Sequence, residues 1–118
     1  MDNEIKKYLY DIHDSICSIE DYLGVQRNFN VYMENKMLRR AIEREFEIIG
    51  EAMNRIDKLN PDISISDKRQ IISVRNRVIH GYDKIDDGII WGTIVRHLPS
   101  LKIEIEKILN DTHIKIRP

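Results

Sequence analysis

A chain of 118 residues suits one compact domain, residues 1–118, with a core large enough to need no covalent staple. Hydrophobic residues make up 42 % and charged residues 33 %, the mix of an ordinary soluble protein. The formal net charge of −1 excludes polyanion binding by bulk charge, so any nucleic-acid surface must come from a local patch.

The N-terminal stretch MDNEIKKYLYDI is charged throughout and does not read as a signal peptide. Ile5, Leu9, Ile12, Ile16, Ile19 and Leu23 follow at alternating steps of four and three, which predicts an amphipathic first helix. Asp2 or Asn3 can cap it, and Gly24 stands where a left-handed terminal residue is wanted. Cys17 sits beside this seam as a small buried or boundary residue. It is the single cysteine, so no intrachain disulfide forms, and a reducing cytoplasm is compatible with it.

A second helix is expected from about Asn30 to Leu59. Leu38, Ala41, Ile42, Phe46, Ile49, Met53 and Ile56 carry its stripe, and Ile48, Ala52 and Leu59 widen it. Gly50 lies inside the pattern at a propensity cost of about 1 kcal/mol, and a close helix crossing explains it better than a hinge. Asn60-Pro61 ends the segment. A third helix starts after Ser64 or Ser66 as cap, with Ile71, Val74 and Val78 on one face, Ile72 and Ile79 on another, and Gly81 at its end. The turn DKIDD supplies the next cap. Ile90, Trp91, Ile94, Leu98, Leu101, Ile105 and Ile108 then make a last stripe. Pro99 inside it marks a kink or the first turn of a new helix, and the tail after Asn110 is short. No run alternates long enough to be a strand, and none approaches the roughly 18 apolar residues of a membrane span. The fold class is all-α, an up-and-down bundle of four to five helices.

The chemistry gathers in SVRNRVIHGYD, residues 73–83. Arg75 and His80 are five apart, about 140° round an ideal helix, so they do not stack. Asn76 and His80, four apart, share a face. These types suit metal-free RNA cleavage, which needs a base for the 2′-hydroxyl, an acid for the leaving oxygen and a cation for the growing phosphate charge. Histidine serves as base or acid near neutral pH. Arginine grips phosphate oxygens bidentately, and Asn76 can orient the ring or the phosphate. One chain supplies one such histidine, and a symmetric dimer would supply the second. The same residue types are also common as solvated helix ends.

RNRVIHGY fits the Arg-x4-His-x-Tyr motif of the HepT-like toxins, α-helical ribonucleases of the HEPN superfamily. RAIEREFEIIGEA (40–52) resembles that family's long second helix. DKRQIISVRNRVIHGYDKID resembles its motif helix and exit turn, and IIWGTIVRHLPSLKIEI its last segment. The resemblance covers nearly the whole chain. It implies a HEPN-type bundle, a homodimer whose two motifs form one cleft, and metal-independent endoribonuclease activity on tRNA or mRNA, with no cofactor. It also implies a toxin role opposite an MntA-type minimal nucleotidyltransferase antitoxin, as a homodimer or in a larger heteromeric complex. Carried over, Arg75 and His80 are the catalytic pair, Asn76 the polar helper and Tyr82 the site of inhibitory AMP transfer. A second reading is a non-catalytic subunit that docks a nucleotidyltransferase, with Arg75 holding the phosphate of a nucleotide.

Two basic runs fit an RNA surface. One holds Lys68, Arg69, Arg75 and Arg77, and the other Lys36, Arg39, Arg40 and Arg44. Of these, Arg77, Arg69 and Arg44 are the candidate RNA contacts beyond the motif. His13, His97 and His113 lack paired metal-ligand spacing and read as surface or capping residues, so no metal site is expected. Glu43, Glu47 and Glu51 recur every four residues and are expected to pair with neighbours such as Arg39, Arg40, Arg44 and Arg55.

Overall fold

The computed structural model describes residues 2–25, 27–80 and 87–116, with side chains to residue 111. Six α-helices run in chain order: α1 Asn3–Leu23, α2 Phe29–Glu34, α3 Lys36–Leu59, α4 Lys68–His80, α5 Asp87–Arg96 and α6 Leu98–Ile116. No strand occurs among the described residues, and the all-α expectation holds. No described helix is long and apolar enough to cross a membrane.

The central element is α3, which packs on α1 along one side and on α4 along another. Helix α6 packs on α1 and α5. The seams meet as their spacing predicts. Leu9, Ile12 and Ile16 of α1 and Ile42, Phe46 and Ile49 of α3 are all buried, and Ile71, Val74, Ile90 and Ile105 join the same core. Each such side chain contributes about 1.5–3 kcal/mol by leaving water.

Asp2 caps α1, its carboxylate accepting from the Glu4 N–H at 2.7 Å. Gly24 closes α1 with φ 70°, a region that favours glycine.

Two features differ from the sequence reading, the course of the second helix and the cap of α4, and the alternatives left open at Pro99 are resolved. The single helix expected from Asn30 is broken at Asn35, whose backbone is extended (φ −107°, ψ 96°) while its side chain accepts from the Leu38 N–H at 3.0 Å. Asparagine competes for backbone hydrogen bonds well enough to end α2 and cap α3 at one position. Ser66 does not cap α4 with its side chain. Its N–H and hydroxyl both donate to Glu104 of α6, at 2.7 and 2.8 Å. Pro99 lies in the first turn of a new helix, α6, and that helix continues past Asn110 to Ile116. Leu59 and Ile79, expected on packed faces, are both about half exposed (45 %).

Tyr32 was not singled out by periodicity, because α2 is too short to show any. It is nevertheless fully buried, with its ring 5.3 Å from that of Trp91, which also packs 5.7 Å from Phe29. Burial first, then the negative charges of Asp87 and Glu43, push its phenol pKa well up, so it stays protonated. Asp87 lies near enough to add to that rise, but no described residue meets ordinary hydrogen-bond geometry with the hydroxyl. A buried, unpartnered hydroxyl costs about 1–3 kcal/mol. Tyr32→Phe should therefore leave the thermal midpoint unchanged or raise it. A fall in midpoint would show that the hydroxyl is satisfied and useful.

Candidate active site

Helix α4 carries the motif, and its start is held from three directions. Lys68 pairs with Asp57 at the end of α3 at 2.6 Å. Asp67 lies 2.7 Å from His97 Nδ1, and Gln70 donates to Thr93 of α5 at 3.1 Å. The far end carries the chemistry. The last residue of α4 is His80, and it is exposed. Gly81 and Tyr82, the expected helix stop and modification site, lie outside the described residues.

Arg69, Ser73, Arg77 and His80 are exposed, and helical spacing sets them with Asn76 on one outward side of α4. Ile71 and Val74 face the core. Arg75 sits between these two faces, on the flank turned to α3. Its side chain is 24 % exposed. One terminal nitrogen, Nη2, donates to Glu51 Oε2 at 2.6 Å, and the other, Nη1, donates to Asn76 Oδ1 at 3.0 Å. Its Nε is buried without a hydrogen-bond partner among the described residues. The guanidinium has five N–H donors in a rigid fork. Glu51 and Asn76 take two, the Nε–H is enclosed, and one N–H on each terminal nitrogen remains.

This placement needs Gly50. A Cβ on residue 50 would lie 2.1 Å from Arg75 Cβ and 2.4 Å from Cγ. The missing side chain lets α4 lay the stem of Arg75 directly on α3. The expected close crossing is thus present, and it falls at the motif arginine.

Glu51 is the residue that spacing alone did not connect to the site. Its pairing with Arg55 was expected and is found at 2.9 Å. Its second oxygen reaches Arg75 across the helix crossing, a contact that sequence separation conceals. The hydrogen bond from Arg55 and then the charge of Arg75 outweigh its partial burial and lower its pKa. A lowered folded value means that its contribution to stability is present above the usual carboxylate pKa and is lost as the pH falls through the folded value. The carboxylate is 40 % exposed, so solvent screens that contribution.

Three of the eight cations in the two basic runs are held in ion pairs among the described residues. Lys68 is on Asp57, Arg75 on Glu51, and Arg44 on Glu47 at 3.1 Å. Arg39 donates to the Met33 carbonyl. Arg69 and Arg77 are exposed and make no ion pair among the described residues. His13 and His97 are not simple surface groups, since each lies against a carboxylate, Glu106 at 2.9 Å and Asp67 at 2.7 Å.

The chain is 34 % identical over 107 residues to a Thermococcus cleftensis protein named "Probable ribonuclease HepT", covering 87 % of this chain and 94 % of that one. It is 31 % identical over 114 residues to "Putative RNase MJ1216" of Methanocaldococcus jannaschii, covering 92 % and 89 %. No solved structure matches. The sequence model of the family described as "Ribonuclease HepT-like" matches residues 12–108, which takes in all but the first turns of α1, every residue of the Arg75 cluster and most of α6. The chain belongs to the HepT-like ribonuclease family.

Proposed function

We propose that this protein is a metal-independent endoribonuclease that acts as the toxin of a toxin–antitoxin pair. The observation that carries the reading is the motif arrangement on α4. Arg75 is fixed by Glu51 and Asn76, and the exposed His80 stands at the helix end of the same element, in a chain of the HepT-like family.

His80 takes the proton of an RNA 2′-hydroxyl. The freed oxygen attacks the adjacent phosphorus, and the bond to the 5′-oxygen breaks. The remaining N–H groups of Arg75 donate to the non-bridging oxygens, where negative charge grows. The leaving oxygen takes a proton from a second acid, and the products are a cyclic phosphate and a free 5′-hydroxyl. On a regular helix His80 points about 140° away from Arg75, so a single chain does not aim both at one phosphate. A homodimer that sets two α4 ends together places the arginine of one copy by the histidine of the other and supplies both proton carriers. Arg69 and Arg77 extend the phosphate track along the outer side of α4, and Arg44 is the weaker candidate because Glu47 already holds it. The partner is an MntA-type nucleotidyltransferase antitoxin. AMP placed on Tyr82, two residues beyond His80, brings an anionic phosphate to the motif and blocks RNA.

The test is cleavage of total tRNA and of a long transcript by purified, unmodified protein in excess EDTA. Wild type should cut, and His80→Ala should lose at least about 100-fold in rate, the usual contribution of a general acid or base. Undiminished cleavage by His80→Ala overturns the assignment.

A further inference from the structure

We infer that Glu51 is a positioning residue for Arg75, holding the guanidinium in the orientation in which its free N–H edge meets the scissile phosphate. This rests on the ribonuclease reading above and adds a residue outside the motif to it.

The argument begins with what a phosphate requires. A bidentate grip needs the plane of the fork fixed relative to the attacked phosphorus, and displacement by about 1 Å can cost 100-fold in rate. Arginine ordinarily has ample rotamer freedom. Here that freedom is removed at three points. The stem lies on Gly50, where the nearest side-chain atoms approach to within bonding-like distance of any added Cβ. Asn76 of the same helix takes one terminal nitrogen, and Glu51 of α3 takes the other. Glu51 is the single contact of the three that ties the charged end of Arg75 to a second helix.

Glu51 is itself braced. Its Oε1 accepts from Arg55 at 2.9 Å while Oε2 accepts from Arg75 at 2.6 Å. Two cations thus share one anion, leaving a surplus positive charge to attract phosphate. An acidic residue beside a phosphate site opposes binding by charge alone, so its role is one of geometry. Removing the charge should weaken catalysis without weakening RNA binding, and this sign separates positioning from an RNA contact.

The experiment is steady-state cleavage by Glu51→Gln and Glu51→Asp beside wild type, with circular dichroism to establish folding. Glutamine keeps the shape and loses the charge. Aspartate keeps the charge and falls short by one methylene. Both should lower kcat by about 10- to 100-fold, with KM unchanged or, for Glu51→Gln, lowered. Proton exchange of the Arg75 Nε–H, read by nitrogen-15 NMR, should be slow in wild type and severalfold faster in both variants. Unchanged kcat with wild-type Arg75 exchange overturns the proposal, as does a raised KM at unchanged kcat. If wild type itself does not cut RNA, the ribonuclease reading fails instead, and the exchange measurement still decides whether Glu51 fixes Arg75.

Discussion

Gly50→Ala should lower the thermal midpoint by several degrees, although alanine is the better helix former. In an open helix the exchange would stabilise by about 1 kcal/mol. Here the new methyl would lie 2.1 Å from Arg75 Cβ and 2.4 Å from Cγ. Ordinary contact needs roughly 3.4 Å or more, so α3 and α4 must separate by about an ångström along their crossing. Overpacking of this kind costs about 1–3 kcal/mol, more than the propensity gain, and a loss of 1 kcal/mol moves the midpoint of a domain this size by about 4 °C or more. The clash is with Cβ, so Gly50→Ala/Arg75→Ala should not recover the loss. Gly50→Ala/Arg75→Gly should recover part of it, less the cost of a helical glycine. Thermal melts of the four proteins check this. A higher midpoint for Gly50→Ala would mean that the helices do not meet at this point.

The same crossing shows what was legible in the sequence and what was not. The hydrophobic steps of α1, α3 and α6 named most of the buried residues, because long amphipathic helices repeat their signal. Gly50 stood out as an interruption of that signal, and its meaning as a close approach could be read. Its opposite residue, Arg75, could not, since nothing in a 3.6-residue period says which residue of another helix lies across the crossing. For that reason Glu51 was expected to pair with arginines of its own helix, and its bond to Arg75 is a tertiary fact. The break at Asn35 was missed for a local reason. One asparagine side chain ends a helix and starts the next without any change in the apolar pattern. Counting charges along the two basic runs did not show which of them packing would pair, since Asp57 and Glu51 reach Lys68 and Arg75 from another helix. Within the motif, residue types and order identified Arg75, Asn76 and His80 as candidates. Spacing alone did not show that Asn76 would accept from Arg75.

Arg75→Ala should lower kcat/KM for RNA cleavage by about 100- to 1000-fold, the usual loss when one aimed donor to a developing oxyanion is removed. Its effect on stability should be small by comparison. Glu51 keeps Arg55 as a partner and is partly exposed, so no buried carboxylate is abandoned. The buried Nε–H, which has no acceptor among the described residues, disappears together with its cost. What is lost is the packing of the stem over Gly50. Arg75→Lys should be nearly as inactive as Arg75→Ala. An ammonium keeps the charge, but it cannot span Glu51, Asn76 and two phosphate oxygens in one plane. Arg77→Ala provides the contrast. It is exposed on the outer side of α4 and makes no ion pair among the described residues, so its removal should raise KM, leave kcat near wild type, and reduce the salt dependence of binding by about one phosphate contact. Cleavage kinetics at two salt concentrations, with melts of each variant, separate the two roles. If Arg75→Lys retained wild-type kcat, positive charge alone would be sufficient, and the fork geometry set by Gly50, Glu51 and Asn76 would have no part in the reaction.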